Sequence, residues 1–455
     1  MKFQTQNPYS EQIEKSFDLM MDEALDQNIA KAHKAFASWK LLSYQDRATY
    51  FYKLIDLIKE RREMLAGLIS KEMGKPISEA LPEVDKCCRA IELYADKSAE
   101  FLKQERLRLA KSNAIIRFDA LGIIYGIMPW NYPFWQVFRY ATPALMAGNT
   151  TLLKHAENVP QCALAVAQLF QDAGFPEGVF QNIFIAHEQS EKLIQNPKVR
   201  GVTLTGSEKA GSIVAAQAGK AIKKTVLELG GSDPFIVFED ADIDKAVEHG
   251  IMSRFQNAGQ SCIAAKRFLI HEAIFEDFLA KFKAKAESLK AGNPEDSETT
   301  LGPMARADLR DTLHRQVEKS VACGAKLVCG GAFLPGKGYF YAPTILTDVP
   351  ADSPAYREEL FGPVAAFFSF KNKAEAIDLA NDTPYGLGSS VWTTSSDLAM
   401  EMAAALDTGT VAVNHMLRSD PQVPFGGVKA SGYGRELSSH GILEFVNIKT
   451  VNIFE

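Results

Sequence analysis

The sequence predicts an α/β protein with two parallel-sheet domains and a small additional β element. Three observations carry that prediction. At 455 residues and 50.1 kDa the chain is long for one compact domain, since domains run to roughly 150 residues. From about residue 115 short β-branched runs alternate with helical patterns, as in a sheet of parallel strands joined by crossover helices. A turn-rich break at Gly230, Gly231, Ser232, Asp233 and Pro234 separates one such series from a second.

The elements follow in order. Ala30 to Trp39, Tyr44 to Leu68 and Glu79 to Phe101 place apolar residues at helical spacing between charges, so the first hundred residues read as a helical lead-in. Strands are expected at Ile123 to Met128, Thr151 to Lys154, Val179 to Ile185 and Val202 to Thr205. Beyond the break they are expected at Phe268 to His271, Ala365 to Phe370, Val391 to Thr393 and Thr410 to Asn414, with a helix over Ile274 to Leu289. Gly292 to Pro303 and Gly330 to Gly338 read as loops. Ile115 to Asp119 and Phe445 to Phe454 read as strands with no obvious local partner, a pattern often used in subunit assembly.

Composition narrows the function classes. Apolar residues at 46% and charged residues at 23% allow a large core and exclude wholesale disorder. A net charge of −6 gives no electrostatic footprint for nucleic acid or anionic membrane. The N-terminus lacks an apolar core, and the longest apolar run, Leu121 to Trp130, is far too short to span a bilayer. A cytoplasmic protein is therefore expected. Six cysteines without a CxxC pair and eight scattered histidines without HExxH point to reduced thiols and no metal site.

Four short segments could carry chemistry. Cys262 ends Asn257-Ala258-Gly259-Gln260-Ser261-Cys262, where a glycine lets backbone amides approach a ligand and a nucleophile would fit. Taken alone, the segment favours an inert buried thiol. Glu228 has apolar neighbours at the end of a strand-like run; desolvation there would raise its pKa towards what a general base needs. An ion-paired acid fits that segment equally. Asn131, between Pro129 and Pro133, could display a side-chain amide to an oxyanion, although plain turn chemistry is the commoner reading of Asn beside Pro. Gly206 and Ser207 follow a strand and open a helix, placing free amides where a pyrophosphate could rest. The ordinary GxGxxG fingerprint is absent.

Read in order, MPWNYP around Asn131, LLKHAE around Lys154, TGS at Gly206, ELGG from Glu228, NAGQSC ending in Cys262, EELFGPV with Glu359 and Phe361, and PFGGVKASGYGRE from Pro424 resemble the NAD(P)-dependent aldehyde dehydrogenase superfamily. Within it the chain looks most like the short bacterial succinate semialdehyde dehydrogenases. The resemblance spans nearly the whole sequence. It implies a nucleotide-binding domain over 1–102 and 122–229, a catalytic domain over 230–439, and oligomerisation strands over 103–121 and 440–455. It also implies a homodimer or homotetramer. By the same resemblance Cys262 is the nucleophile, Asn131 with the Cys262 amide the oxyanion hole, and Glu228 the base. Trp130, Lys154, Glu157, Gly206, Ser207, Leu229, Glu359 and Phe361 would hold the dinucleotide. Trp135, Arg139, Ser261, Arg418, Ser419 and Phe425 would hold the substrate, with Phe134 adding to an aromatic entrance.

The expected reaction is oxidation of succinate semialdehyde to succinate through a cysteine thiohemiacetal and thioester. The alternatives are broad oxidation of aliphatic or aromatic aldehydes, a cysteine hydrolase or acyltransferase, and a ligand-binding relative without activity. A planar guanidinium at Arg139 suits a distal carboxylate, although Gln256 stands where some relatives carry a second arginine. Glu157 would accept hydrogen bonds from both adenosine ribose hydroxyls and repel a 2′-phosphate, so NAD is expected to be preferred; Lys154 leaves room for NADP. Tyr140 replaces a lysine common in the family, and Ala264 a second cysteine that some members carry.

Overall fold

The computed structural model describes residues 2–454, and two sheets dominate it. The first has six strands in the order Gly432–Tyr433, Lys224–Glu228, Val199–Thr205, Ile123–Met128, Thr150–His155 and Phe180–Asn182. All are parallel except Gly432–Tyr433. The second has seven: Lys326–Cys329, Thr344–Thr347, Val364–Phe370, Ala265–His271, Asp233–Val237, Gly388–Trp392 and Thr410–Val413. Here only Lys326–Cys329 runs antiparallel. Central strands of both sheets, such as Asp233–Val237 and Thr150–His155, are buried along their whole length, the pattern of a sheet covered by helices on both faces.

The turn-rich break joins the sheets: Lys224–Glu228 ends the parallel run of the first and Asp233–Val237 begins in the second. One crossing ties them together. Gly432–Tyr433 returns from the far end of the chain to pair with the first sheet, Gly432 opposite Glu228. At Gly432 φ is +111°, and a Cβ there would stand 2.0 Å from the Leu227 carbonyl oxygen, so only glycine permits this pairing.

The helical lead-in is longer and more broken than expected. It comprises Asp22–Trp39, Tyr44–Glu60, Arg62–Met73 and Ile77–Phe101; the run expected from Tyr44 to Leu68 turns at Arg61, which leaves helical geometry. Ser43 and Asp46 form a capping box at the start of Tyr44–Glu60. The helices are preceded by a hairpin, Phe3–Gln6 with Ile13–Phe17, that the periodicity did not announce. The strand expected over Val179 to Ile185 shortens to Phe180–Asn182.

The two strands expected to lack partners pair with each other: Asn113–Ala120 lies antiparallel to Val446–Ile453, with Glu105–Arg108 on its other side. Separation by most of the chain hid that partnership. Among the described residues no helix is long and apolar enough to cross a membrane, and no cluster of three or more His, Cys, Asp or Glu could hold a metal ion.

Candidate active site

A cavity of about 240 Å³ opens at the carboxyl ends of the first sheet's strands, where open α/β sheets bind ligands. Pro129, Trp130 and Asn131 follow Ile123–Met128; Gly206 and Ser207 follow Val199–Thr205; Leu229 and Gly230 follow Lys224–Glu228. The opposite wall comes from the second half of the chain through Cys262, Leu309, Glu359 and Phe361.

The wall formed by the first sheet's strand ends offers groups that could hold a dinucleotide. Ser207 caps the helix Glu208–Lys220, its Oγ accepting from the Ala210 amide at 3.3 Å, so the first-turn amides and the positive helix end face outwards. Leu229 packs against this helix at Gly211, where a Cβ would lie 2.6 Å from the leucine. The Trp130 and Phe361 rings meet edge-on at 5.8 Å. Lys154 is buried, and desolvation lowers its pKa. Glu157 lies 3.8 Å from both the Lys154 ammonium and the His187 ring. His187 carries no motif that would have revealed it.

Cys262 is positioned by a constrained loop. Asn257, Ala258 and Gly259 all have positive φ, at 56°, 50° and 73°. The turn is held by Arg254, which donates to the carbonyls of Gly259 at 2.6 Å and Ala265 at 3.2 Å. Asn257 Nδ2 donates to the carbonyls of Asn131 at 2.9 Å and Gln260 at 3.1 Å. Asn131 Nδ2 donates to the Gln260 carbonyl at 3.0 Å, which brings the side-chain amide beside the cysteine loop. Lys75, ion-paired with buried Glu83, donates to the Asn131 carbonyl at 2.9 Å. Glu83 in turn accepts from the amides of Phe134 and Trp135.

The electrostatics are uneven. Cys262 is partly exposed, yet desolvation around its sulfur pushes the thiol up to about 12, opposed by the positive charges of Arg139 and Lys266. Lys266 donates to the carbonyls of Ser261 at 2.9 Å and Cys262 at 2.8 Å, and pairs with Glu359 at 3.1 Å. Glu359 also accepts from the Gly231 amide. Glu228 is 2% exposed, and neither carboxylate oxygen has a hydrogen-bond partner. Burial raises its pKa well above the usual range, the Glu436 charge raises it further, and Arg139 opposes both. Its carboxylate stands against Gly426, where an added Cβ would lie 2.7 Å from Oε1.

The expected substrate residues divide. Trp135 and Phe425 are buried in the apolar cluster against which Cys262 packs, and Ser261 is buried beside the cysteine. Ser419 is buried and accepts a hydrogen bond from Lys86 at 2.6 Å. Arg418 is exposed, its guanidinium 3.0 Å from the Met252 sulfur. Arg139 is not a free cation. It is 2% exposed, ion-paired with Glu436, 3.3 Å from the Thr205 hydroxyl and stacked on Phe425. Lys86, Lys266 and Arg254 escaped the sequence reading, and Asn257 and Glu436 entered it only inside motifs with no role of their own, because, Arg254 apart, their contacts are made with residues distant in the chain.

Fold and cavity together define the class: an α/β protein that presents the carboxyl edge of a parallel sheet to a wall carrying a cysteine. The chain belongs to the aldehyde dehydrogenase family, whose profile matches residues 1–451. It is 48% identical over 451 residues, 99% of each chain, to a probable succinate-semialdehyde dehydrogenase [NADP(+)] from Synechocystis sp.. It is 46% identical over 454 residues, again 99% of each chain, to succinate-semialdehyde dehydrogenase [NADP(+)] 1 from Mycobacterium tuberculosis. Among solved structures it matches succinic semialdehyde dehydrogenase from Streptococcus pyogenes in complex with NADP+, with a TM-score of 0.98, 36% identity and full coverage of both chains. The preference for NAD expected from Glu157 finds no support in these relatives, which are named or described with NADP(+).

Proposed function

We propose that this enzyme oxidises succinate semialdehyde to succinate. The observation that carries the reading is full-length identity of 46–48% to enzymes named for that reaction. The domain division expected from the sequence gives each half its part: residues 1–102 and 122–229 bind the dinucleotide, and residues 230–439 carry the nucleophile.

The residues support the following chemistry. Cys262, partly exposed, gives its proton to solvent and its sulfur adds to the aldehyde carbon, forming a thiohemiacetal alkoxide. The Asn131 side-chain amide and the Cys262 backbone amide stabilise the negative oxygen. A dinucleotide held by Trp130, Gly206, Ser207, Leu229, Glu359 and Phe361 would supply the hydride acceptor. Loss of hydride from the adduct leaves a thioester on Cys262. Glu228 then takes a proton from water, the hydroxide oxygen bonds to the acyl carbon, and the carbon–sulfur bond breaks to release succinate and the thiolate. Since Glu228 stands against Gly426 and does not line the cavity, this step needs its carboxylate to swing towards the cysteine.

NADP is the cofactor supported by the relatives. Lys154 and His187 flank Glu157, and a 2′-phosphate would compete with that carboxylate for the Lys154 ammonium. Glu157→Ser should therefore lower KM for NADP and raise KM for NAD. An unchanged preference would remove Glu157 from discrimination.

The test of the main reading is reduction of NADP and NAD followed by absorbance across an aldehyde panel. Succinate semialdehyde should give the highest kcat/KM. Equal rates with butanal or benzaldehyde would establish a broad-specificity aldehyde dehydrogenase instead, and no aldehyde-dependent reduction would overturn the reading. We propose further that the enzyme assembles as a homodimer or homotetramer through the sheet formed by Glu105–Arg108, Asn113–Ala120 and Val446–Ile453.

A further inference from the structure

The helix Ile77–Phe101 presents a cation that none of the chemistry above employs. The Lys86 ammonium lies 2.6 Å from the Ser419 hydroxyl and 4.2 Å from the centre of the Trp135 ring. Its hydrogen-bond partner is thus a neutral oxygen. The acid one turn before it, Glu83, is already committed to Lys75. Burial, together with the nearby Arg139 charge, pushes the Lys86 pKa down to about 7. A desolvated ammonium without a counter-ion is costly to maintain, and an arriving anion relieves that cost.

Arg139 is the obvious competitor for such an anion, but its charge is balanced by Glu436 and its plane lies on Phe425. Taking a substrate carboxylate there would strip the buried Glu436 of its partner. Lys86 has no such commitment. Trp135, which it overlies, packs in the same apolar cluster as Phe425 and Cys262. The Arg139 charge acts on both Lys86 and the Cys262 sulfur, so the lysine and the nucleophile flank one buried region, an arrangement that suits a short aliphatic chain carrying an aldehyde at one end and an anion at the other. Ser419 and Arg418 are adjacent in the loop docked on this lysine.

We propose that Lys86 is a specificity-determining residue that, with the Ser419 hydroxyl, receives the distal carboxylate of an ω-carboxylated aldehyde. The proposal rests on the succinate semialdehyde reading and deepens it. The ammonium has three donors; one serves Ser419, leaving others for carboxylate oxygens, and the Trp135 ring face stabilises the cation meanwhile.

The experiment compares wild type, Lys86→Gln and Lys86→Arg with succinate semialdehyde and butanal at saturating NADP. Thermal unfolding and NADP binding are measured on each. Gln keeps a donor for Ser419 but removes the charge, so it separates a charge from a strut. The expected result for Lys86→Gln is a fall in kcat/KM for succinate semialdehyde about 10- to 100-fold greater than for butanal, the scale of a lost charged hydrogen bond. The fall should reside in KM, with weaker inhibition by succinate and partial recovery in Lys86→Arg. Equal losses on both aldehydes, or a retained preference for the semialdehyde in the Gln variant, would overturn the role of Lys86 while leaving the substrate reading intact. A wild type that does not prefer succinate semialdehyde to butanal would overturn both.

Discussion

The proposed nucleophile, Cys262, and the proposed base, Glu228, share one physical problem, which is that desolvation holds both in their unreactive protonation states. Desolvation holds the Cys262 thiol neutral up to about pH 12, so its thiolate fraction rises about tenfold per pH unit below that value. Alkylation of the free enzyme by iodoacetamide should keep accelerating from pH 7 to 10; a plateau below pH 9 would show that Arg139 and Lys266 outweigh burial. Glu228 is raised by the same desolvation and by the Glu436 charge, while Arg139, which pairs with Glu436, opposes both, so Glu228 holds its proton above the ordinary carboxylate range. As pH rises Glu228 becomes a competent base, so deacylation should quicken. Glu228→Gln should abolish that dependence and leave a burst of reduced cofactor with a thioester visible by intact mass. If no thioester accumulates, Glu228 acts before acyl transfer.

At the scale of the element, the loop before Cys262 is the most constrained segment of the site. Three successive left-handed residues are tolerable because each is pinned: Asn257 by its amide bonds, Ala258 by burial, and Gly259 by Arg254. A Cβ on Gly259 would lie 2.3 Å from the Gly362 carbonyl oxygen. Gly259→Ala should therefore destabilise the protein by about 2–4 kcal/mol and lower kcat by displacing the sulfur. Unchanged thermal unfolding and kcat would show that the loop relaxes freely. The sequence marks this segment by its glycine and small polar residues, yet gives no sign that Asn257 and Ala258 also adopt left-handed geometry. Single residues rarely do so without tertiary hydrogen bonds to hold them.

At the scale of the whole molecule, the three-stranded sheet stands out because little of it is covered within the chain. Val446–Ile453 is exposed from Asn447 onwards, with Ile448 at 62% and Phe454 at 74%. Apolar strand surface of this kind is normally covered or charged in a monomer. Ile448→Lys combined with Phe454→Lys should shift the enzyme to monomer in light scattering coupled to size exclusion. A wild type already monomeric at micromolar concentration would overturn assembly through this sheet.

Local chemistry made much of the molecule readable in advance. Ile123–Met128 coincides with its expected strand, since a β-branched run bounded by glycine and proline needs no distant partner to be recognised. The positions of Asn131, Gly206 and Leu229 follow from strand ends, and Cys262 from its motif. What sequence left open was pairing across long separations. The strands Asn113–Ala120 and Val446–Ile453 found each other only in three dimensions, and Arg139, chosen for its charge, proved to be balanced by Glu436 while Lys86 was left without an acid. A residue's type states which charge it can carry, but burial and the nearest opposite charge decide whether that charge is free to bind, and both depend on the folded chain.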